Sequence, residues 1–274
     1  MIAYIAWALP NVGPPPDIEI ALTEERIERG AYLANSVMVC MDCHSQRDWS
    51  TWSGPLQEGT LGAGGEVFNE EMGLPGTFIS PNITPYALSD WTDGEIYRAI
   101  TSGVSKDGRA LFDIMPHPNF GQCATEDIYS VIAYIRSLEP KEVDHAASQA
   151  HFPVNLIINT IPKEASPQPI PPKKDKVAYG AYLALASGCK DCHTAREKGQ
   201  FVGPFYAGGM EFMFPDKTTT RAPNITPHAN GIGSLTEDEF VWLFKKYTDS
   251  TYVPKSCPPG SYKTPMPWTM SKKI

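Results

Sequence analysis

The amino-acid sequence predicts an all-α protein of two tandem domains, in which short helices are joined by long loops. Three observations support this fold class. An internal repeat divides the chain into two similar halves, and helix start signals recur at matching places in both. Glycine and proline are frequent, with 22 and 26 among 274 residues. Few segments show the alternating polarity of a β-strand, so loops rather than sheets should connect the helices.

Two copies of one motif, Cys-x-x-Cys-His at 40–44 and 189–193, organise the halves. This motif is typical of covalent attachment of haem c. Its two thiols would bond the vinyl groups of one haem, and the histidine that follows would be the proximal ligand of the iron. The chain should therefore carry two covalently attached haem c groups. The residues assigned to attachment and proximal ligation are Cys40, Cys43, His44, Cys189, Cys192 and His193.

Two other chemistries also use Cys-x-x-Cys pairs. In a zinc ribbon the two halves lie about 15–20 residues apart, whereas Cys43 and Cys189 are 146 residues apart (189 − 43). A thioredoxin-like dithiol does not need a histidine directly after the second cysteine in both copies. Haem attachment is the interpretation that uses every residue of the motif, and zinc and dithiol chemistry are the alternatives.

The repeat extends well beyond the two motifs. The shared segments are 30–40 and 180–189, with one residue fewer in the second copy, Pro-Asn-Ile-Thr-Pro at 81–85 and 223–227, and Met-Pro at 115–116 and 266–267. From the motif histidine to this methionine is 71 residues in the first copy (115 − 44) and 73 in the second (266 − 193). Three motifs in one order at nearly equal spacing indicate two domains of the same kind.

Helix signals give the order of elements in each domain. Thr23 before two glutamates starts the first helix, and its counterpart runs from about 176 to 187. Capping boxes at 92–95 and 236–239 start a second helix in each domain. An apolar i, i+3, i+4, i+7 stripe from Thr125 predicts a closing helix in the first domain. The second domain has no such stripe, so another element should cover that face, or the chain is truncated there.

These signals divide the chain into four segments. They are an apolar arm or the end of a membrane anchor at 1–22, a first domain at 23–139, a proline-rich linker at 140–175, and a second domain that lacks the closing helix at 176–274. The apolar start, Met1–Leu9, is too short to span a bilayer and lacks the basic region of a signal peptide. The prolines make the linker semi-rigid, and its apolar middle at 152–161 should pack against a domain.

Methionine is the expected second axial ligand, because a thioether raises the potential of a haem and closes its iron to small molecules. Met115 and Met266 are the candidates, since only these two occupy matching Met-Pro loops. His117 and Met270 are the rival ligands. A second group of residues would serve the haem edge by donating hydrogen bonds to propionates or by holding the distal loop. This group comprises Asn82, Thr84, Trp91, Asn224 and Thr226. Ordinary turn capping by the Asn and Thr residues is the alternative.

Trp91 has Leu235 as its counterpart, so the two haem environments should differ. Two cysteines lie outside the motifs, Cys123 and Cys257. Outside the cytoplasm they would either form a disulfide that ties the two distal sides together or remain separate thiols.

The charge and the haem motif limit the partners and the compartment. A net charge of −8 makes nucleic acid an unsuitable partner and favours steering toward a basic patch on a redox protein. Haem c is attached outside the cytoplasm, so the expected location is the periplasm or the extracytoplasmic face of a bacterial inner membrane. Anchoring through the N-terminus would make the protein membrane-associated.

With these motifs in view, residues 23–270 resemble a diheme class I c-type cytochrome. The chain is similar to the cytochrome c subunits of membrane-bound alcohol and gluconate dehydrogenases, which share the haem motif, a downstream Asn-Ile-Thr-Pro and a Met-Pro ligand loop. The resemblance implies tandem cytochrome c domains around haem. It also implies axial pairs of His44 with Met115 and His193 with Met266.

The leading functional hypothesis is an electron carrier without substrate chemistry of its own. It would relay single electrons between respiratory partners, namely a membrane dehydrogenase or other respiratory complex and an oxidase. The alternative is a diheme oxidoreductase of the peroxidase or thiosulfate-oxidising type, with one open or non-Met-ligated haem, for which Cys123 and His117 are the relevant residues. A structural subunit of a respiratory assembly is a third hypothesis.

Overall fold

The computed structural model describes residues 2–197, 199–247 and 251–270. Residues 271–274, the end of the expected second domain, therefore lie outside the described part, as do Met1, Lys198 and 248–250. Helices dominate the described chain. They are α1 Ile2–Ala8, α2 Glu24–Tyr32, α3 Cys40–Cys43, α4 Asp93–Ser102, α5 His117–Phe120, α6 Thr125–Ser137, α7 Val154–Ile157, α8 Lys176–Ala186, α9 Cys189–Cys192 and α10 Glu237–Lys245.

Small antiparallel sheets accompany the helices, so the chain is mostly helix and loop rather than purely helical. One sheet has the order β1-β2-β3, and two hairpins pair β4 with β5 and β6 with β7. The strands are β1 Val67–Phe68, β2 Gly76–Ile79, β3 Gln149–Ala150, β4 Arg196–Glu197, β5 Gln200–Phe201, β6 Glu211–Met213 and β7 Thr219–Arg221. Segments of two to four residues are too short to show an alternating pattern, so the sequence does not predict these strands.

The first half is built on the crossing of α2 and α6. Gly30 lies at the contact, where an added Cβ would come within 1.8 Å of the Ser130 carbonyl oxygen. On α6 the predicted stripe of Ile128, Val131 and Ile132 is fully buried. The close approach of the two backbones therefore depends on the absence of a side chain at Gly30.

The one-residue difference between the two repeats has a structural explanation. After α2 the chain continues as a π-helical turn, Leu33–Val37, whereas α8 is α-helical throughout. A π-turn accommodates one extra residue without changing the direction of the helix. Residues 30–40 and 180–189 can therefore both deliver the chain to a Cys-x-x-Cys-His motif.

The linker packs against the first half, as its apolar middle predicts. Ile158 is buried with Phe78 and Ala110 in a second, smaller core. Strand β3 of the linker pairs with β2. The linker is therefore part of the folded structure rather than a free tether.

One edge of α8 forms part of the contact between the second half and the first. Ala186 belongs to the same buried cluster as the α2–α6 core, and so does Met270. Tyr182 is buried and donates its hydroxyl hydrogen to Asp127 of α6. In the described residues after α10 no further α-helix forms. Among all the helices described, none is both long enough and apolar enough to cross a membrane.

Candidate functional site

Each Cys-x-x-Cys-His motif forms one turn of helix followed by its histidine. The amide of His44 donates to the Cys40 carbonyl at 2.9 Å, and the amide of His193 donates to the Cys189 carbonyl at 2.9 Å. Residues three apart on a helix share a face. The turn therefore presents the two thiols of a motif on the same side, which suits bonding to one ligand with two reactive groups.

The two motif histidines have equivalent hydrogen-bond partners, each the first proline of a Pro-Asn-Ile-Thr-Pro segment. Nδ1 of His44 lies 2.9 Å from the carbonyl oxygen of Pro81, and Nδ1 of His193 lies 2.9 Å from that of Pro223. A carbonyl oxygen only accepts, so Nδ1 of each ring carries the hydrogen. This fixes the ring orientation and leaves Nε2 as the nitrogen with a free lone pair, the arrangement of a metal-ligating histidine and its supporting partner.

The close approach of the Pro-Asn-Ile-Thr segment depends on two glycines. The amide of Gly64 donates to the His44 carbonyl at 2.9 Å, and that of Gly208 donates to the His193 carbonyl at 2.8 Å. Both glycines have φ in the left-handed region, and a Cβ on either would meet the proline segment within 2.6 Å. The sequence contains this signal as a repeated Ala-Gly-Gly at 63–65 and 207–209, which sequence analysis missed.

Burial sets the protonation of the motif side chains. It lowers the pKa of His44, against the opposing effect of the hydrogen bond to Pro81, so the imidazole is neutral near pH 7. Burial also raises the pKa of the Cys40 thiol to about 12 and raises that of the Cys189 thiol. Among the described residues, no group of three or more His, Cys, Asp or Glu side chains could hold a metal ion.

A second pair of residues recurs in both motifs and was also missed. Arg47 donates to Asp42, inside the first motif, at 2.8 Å, and Arg196 donates to Asp191, inside the second, at 3.0 Å. The sequence signal is Cys-x-Asp-Cys-His-x-x-Arg in both copies. Burial raises the pKa of Asp42 to about 6, against the opposing effect of Arg47.

The paired Asn-Ile-Thr segments form the same turn twice. Oδ1 of Asn82 accepts from the amide and the hydroxyl of Thr84, and Oδ1 of Asn224 accepts from the amide and the hydroxyl of Thr226. The amide nitrogen of Asn82 donates to the carbonyls of Lys141 and Val143. These are the bonds of an Asx turn, so the geometry supplies the turn-capping role, and propionate binding stays a prediction.

The two Met-Pro loops also share one geometry. The Met115 carbonyl accepts from the amide of His117 at 2.7 Å, and the Met266 carbonyl accepts from the amide of Trp268 at 2.8 Å. With Pro116 at φ −76 and ψ 52, the first loop is an inverse γ-turn. Met115 lines the same core as Cys40.

The rival ligands His117 and Met270 are both buried, and Trp91 packs against the core of the first half. His117 is buried against Gly103, where an added Cβ would meet its ring at 2.4 Å, and its Nε2 has no hydrogen-bond partner among the described residues. Met270 is buried in the core of the first half. Trp91 packs against that core while its counterpart Leu235 is 37% exposed. The two surroundings therefore differ at this position.

Cys123 and Cys257 are separate buried thiols rather than a disulfide. The thiol of Cys123 donates to the carbonyl of Asn119, and that of Cys257 donates to the carbonyl of Tyr262. Burial raises the pKa of Cys123 to about 12. Of the two arrangements considered for this pair, a disulfide or separate thiols, the structure has separate thiols.

Comparison with known proteins supports the resemblance stated from the motifs. The chain is 28% identical over 249 residues to the cytochrome c subunit of a quinone alcohol dehydrogenase from Gluconacetobacter polyoxogenes, covering 84% of this chain and 49% of the relative. It is 28% identical over 183 residues to the gluconate 2-dehydrogenase cytochrome c subunit of Pantoea cypripedii, covering 62% and 38%. It is 24% identical over 241 residues to a diheme cytochrome c-type protein of Cereibacter sphaeroides, covering 81% and 74%.

These matches confirm the resemblance to dehydrogenase cytochrome c subunits and to a diheme cytochrome, at modest identity over most of the chain. The chain spans about half the length of the alcohol dehydrogenase relatives that it matches. No protein-family model matches it.

Proposed function

We propose that this protein is a diheme c-type cytochrome that relays single electrons between respiratory redox partners and has no substrate chemistry of its own. One observation carries the proposal: both motif histidines donate Nδ1–H to a proline carbonyl and keep Nε2 free. A redox dithiol needs no such histidine. The repetition of this hydrogen bond at both motifs supports two sites of the same chemistry within one chain.

The side chains at each site fit haem c. Two thiols three residues apart lie on one helical turn, and an imidazole oriented by its hydrogen bond follows them, which is the donor set that covalent attachment and axial ligation require. Bound haem c supplies an iron that accepts and releases one electron. In this proposal Cys40, Cys43, Cys189 and Cys192 hold the two groups covalently. The axial ligands are His44 with Met115 and His193 with Met266.

The proposed architecture is two tandem class I cytochrome c domains, at 23–139 and 176–274, joined by the linker at 140–175. In both halves the same features follow one another along the chain: the hydrogen-bonded motif histidine, the Asx turn, the capped helix and the Met-Pro loop. This repeated order supports the two-domain architecture. The differences between the copies at Trp91 and Leu235 support unequal haems, as a relay with an entry and an exit would need.

The proposed partners are a membrane-bound dehydrogenase or other respiratory complex and an oxidase, on the extracytoplasmic side of a bacterial inner membrane. The names of the relatives support a dehydrogenase partner. Helix α1 exposes Tyr4 and Trp7, at 64% and 91%. Exposed aromatic side chains favour a membrane interface, so this arm is the proposed membrane contact.

Haem attachment is tested by the mass of the purified chain after expression with a haem c maturation system. We expect the mass of two covalently bound haems and haem staining after denaturation. Replacement of Cys40 and Cys43 by serine should remove one haem, and replacement of Cys189 and Cys192 the other. Retention of both haems in either variant, or zinc in place of haem, would contradict the proposal.

Axial ligation by methionine is tested by the weak red charge-transfer band of the oxidised protein. We expect Met115→Ala and Met266→Ala each to remove about half of the band. Met210→Ala, which replaces a methionine outside the two loops, is the control and should leave the band intact. A full band in Met115→Ala would instead favour the oxidoreductase hypothesis, with a first haem that methionine does not ligate.

Partners are tested by affinity capture from detergent-solubilised membranes, with haem-stained bands identified by mass spectrometry. We expect a dehydrogenase complex in the captured fraction. A variant with Tyr4 and Trp7 both replaced by serine should release the protein from membranes if the arm is the contact. Capture of no redox protein would contradict the partner assignment and leave the haem assignment standing.

A further inference from the structure

We infer that Ser53, in the first half of the chain, is a positioning residue for the Met266 loop in the second half. The inference rests on the proposed function, in which Met266 is an axial ligand. It makes the first haem-attachment segment part of the support for the second haem. Nothing in the repeat pattern indicates this link, because the two residues are 213 positions apart.

The contact is a partly buried hydrogen bond to the backbone carbonyl of the methionine itself. The Ser53 hydroxyl donates to the Met266 carbonyl at 2.8 Å, which also accepts from the Trp268 amide at 2.8 Å. Ser53 is completely buried. The Met115 carbonyl, at the matching position, accepts from the His117 amide within its own loop. The second loop thus has an additional support from outside its own half.

Ser53 is held in place from the first motif. Its φ of +73 lies in the left-handed region, which a residue other than glycine adopts only where its surroundings enforce it. Arg47 enforces it by donating to the carbonyls of Ser53 at 2.7 Å and Gly54 at 2.8 Å. The same guanidinium donates to Asp42 at 2.8 Å. A continuous chain of bonds therefore runs from inside the first motif to the Met266 loop.

Backbone hydrogen bonds next to Ser53 also join the two halves, along a line of contact that we call the seam. The Trp52 amide donates to the Lys255 carbonyl at 2.8 Å, and the Cys257 amide donates to the Ser50 carbonyl at 2.7 Å. The Trp52 ring stacks on Tyr247, with centroids 5.6 Å apart. These contacts fix the loop that carries Ser53, so that the hydroxyl is directed at one carbonyl oxygen.

A second bond crosses the seam with the two kinds of segment exchanged, from near the first Met-Pro loop to the second motif. The side-chain amide of Asn119, four residues after Met115, donates to Asp191 inside the second motif. The first half therefore contacts the Met-Pro loop of the second through Ser53. The second motif contacts the first half close to its Met-Pro loop, at Asn119. This reciprocity indicates that the seam is organised around the two sites rather than formed by general packing.

The inference has a measurable consequence for one haem only. A methionine ligand raises the reduction potential, so a loosened Met266 loop should lower the potential of the second haem. Ser53→Gly removes the hydroxyl and keeps a residue that adopts the left-handed conformation without strain. In this variant we expect the equilibrium constant for reduction of the second haem to fall about tenfold, which is 59 mV for a one-electron couple. The potential of the first haem should not change.

The test is a potentiometric titration of the two-haem protein, read by visible absorption and by the red charge-transfer band. Met266→Ala identifies which component belongs to the second haem. Ser36→Ala is the matched control, because the Ser36 hydroxyl also donates across the seam to a methionine carbonyl, that of Met270, four residues from Met266. It should leave both potentials in place.

The outcomes separate the inference from the proposed function. If Met266→Ala leaves the band and both potentials unchanged, Met266 is not a ligand and the proposed ligation fails. If Met266→Ala removes its component but Ser53→Gly has no effect, only the inference fails. Equal shifts of both haems in Ser53→Gly, or the same shift in Ser36→Ala, would show a general loosening of the fold and would also overturn the inference.

Discussion

The two halves contain the same helix glycine in opposite surroundings. At Gly30 an added Cβ would approach the Ser130 carbonyl oxygen to 1.8 Å, whereas at Gly180 no atom of the described residues lies within 4 Å. Both glycines begin a matching Gly-Ala-Tyr-Leu-Ala segment that leads to a motif. The sequence repeat therefore preserves the helix and the motif but not the packing partner of the helix.

The difference shows how the described part of the second half, which contains no helix like α6, is supported. Its helix α8 turns Tyr182 and Ala186 toward the first half, where both are buried. Val177 and Gly180, on another part of α8, are exposed, Val177 at 84%. In the described residues the first half thus supplies part of the core that the second half uses.

The largest effect is expected for Gly30→Ala. The new methyl group would overlap backbone atoms that cannot move without separating α2 from α6. We expect a loss of about 3 kcal/mol or more in the free energy of unfolding. Denaturant unfolding followed by far-ultraviolet circular dichroism would measure it.

Gly180→Ala is the matched control for that change. Alanine has the higher helix propensity, and open space surrounds the site, so we expect a gain of about 0.5–1 kcal/mol. Equal losses in the two variants would mean that α8 also has a close packing partner, and the contrast between the halves would then be wrong.

A smaller effect is expected for Tyr182→Phe, which tests the edge of α8 that faces the first half. The Tyr182 hydroxyl donates to Asp127 at 2.6 Å and accepts from the Ala124 amide. Its loss leaves buried polar groups unpaired, so we expect a decrease of about 2 kcal/mol in the free energy of unfolding. Denaturant unfolding gives this value directly.

The counterpart variant is Tyr32→Phe. Tyr32 lies under the Arg29 guanidinium, 5.5 Å from the ring centroid, a contact that phenylalanine keeps. We expect a change within about 0.5 kcal/mol. A Tyr182→Phe protein as stable as the Tyr32→Phe protein would show that the two halves do not depend on this hydroxyl.

Much of this organisation could be predicted from local sequence patterns. Thr92 with Glu95 and Thr236 with Glu239 form the capping boxes that their spacing predicts. The apolar stripe of α6 is buried as its period requires. Such features depend on residues a few positions apart, so a single sequence contains the information needed.

The features that were missed depend on distant contacts or on signals too short to stand out. The bond from Ser53 to Met266 joins residues with no shared motif. The Ala-Gly-Gly repeats matter only because Pro81 and Pro223 come close to them in the fold. The disulfide alternative for Cys123 and Cys257 depended on a distance that no sequence pattern gives.

The residue before each motif has a left-handed backbone conformation in both halves. It is Val39 at φ 47 in the first and Gly188 at φ 63 in the second. We expect Gly188→Ala to lower the free energy of unfolding by about 1 kcal/mol, because a Cβ is strained in this conformation. Its neighbours lie at ordinary contact distance, 3.4 Å or more, so denaturant unfolding would report the backbone effect alone.

Val39→Gly is the reverse experiment. It relieves strain and removes a side chain that packs on the core, two effects of opposite sign. We expect a net change below about 1 kcal/mol. A large loss would mean that packing by Val39 outweighs its strain and that the two positions are not equivalent.

The smallest effect is a local response to acid at one hairpin turn of the second half, which the matching turn of the first half should not show. Its hairpin turn is capped by Asp216, which accepts from the Thr218 amide, while Asn69 caps the matching turn through the Glu71 amide. Lys263 and then Thr218 lower the pKa of Asp216. Because the pKa in the folded state lies below the ordinary value of about 3.9, the stabilisation is complete above that pH. It is lost as the pH falls further toward the lowered pKa.

Hydrogen exchange at the Thr218 and Glu71 amides measures this difference. We expect protection of Thr218, relative to Glu71, to decrease as the pH falls below about 4, because protonation of Asp216 weakens its bonds to Lys263 and Thr218. In Asp216→Asn the ratio should become independent of pH, since an amide does not titrate in this range. A ratio that still falls in that variant would assign the acid response to another group and remove this difference between the halves.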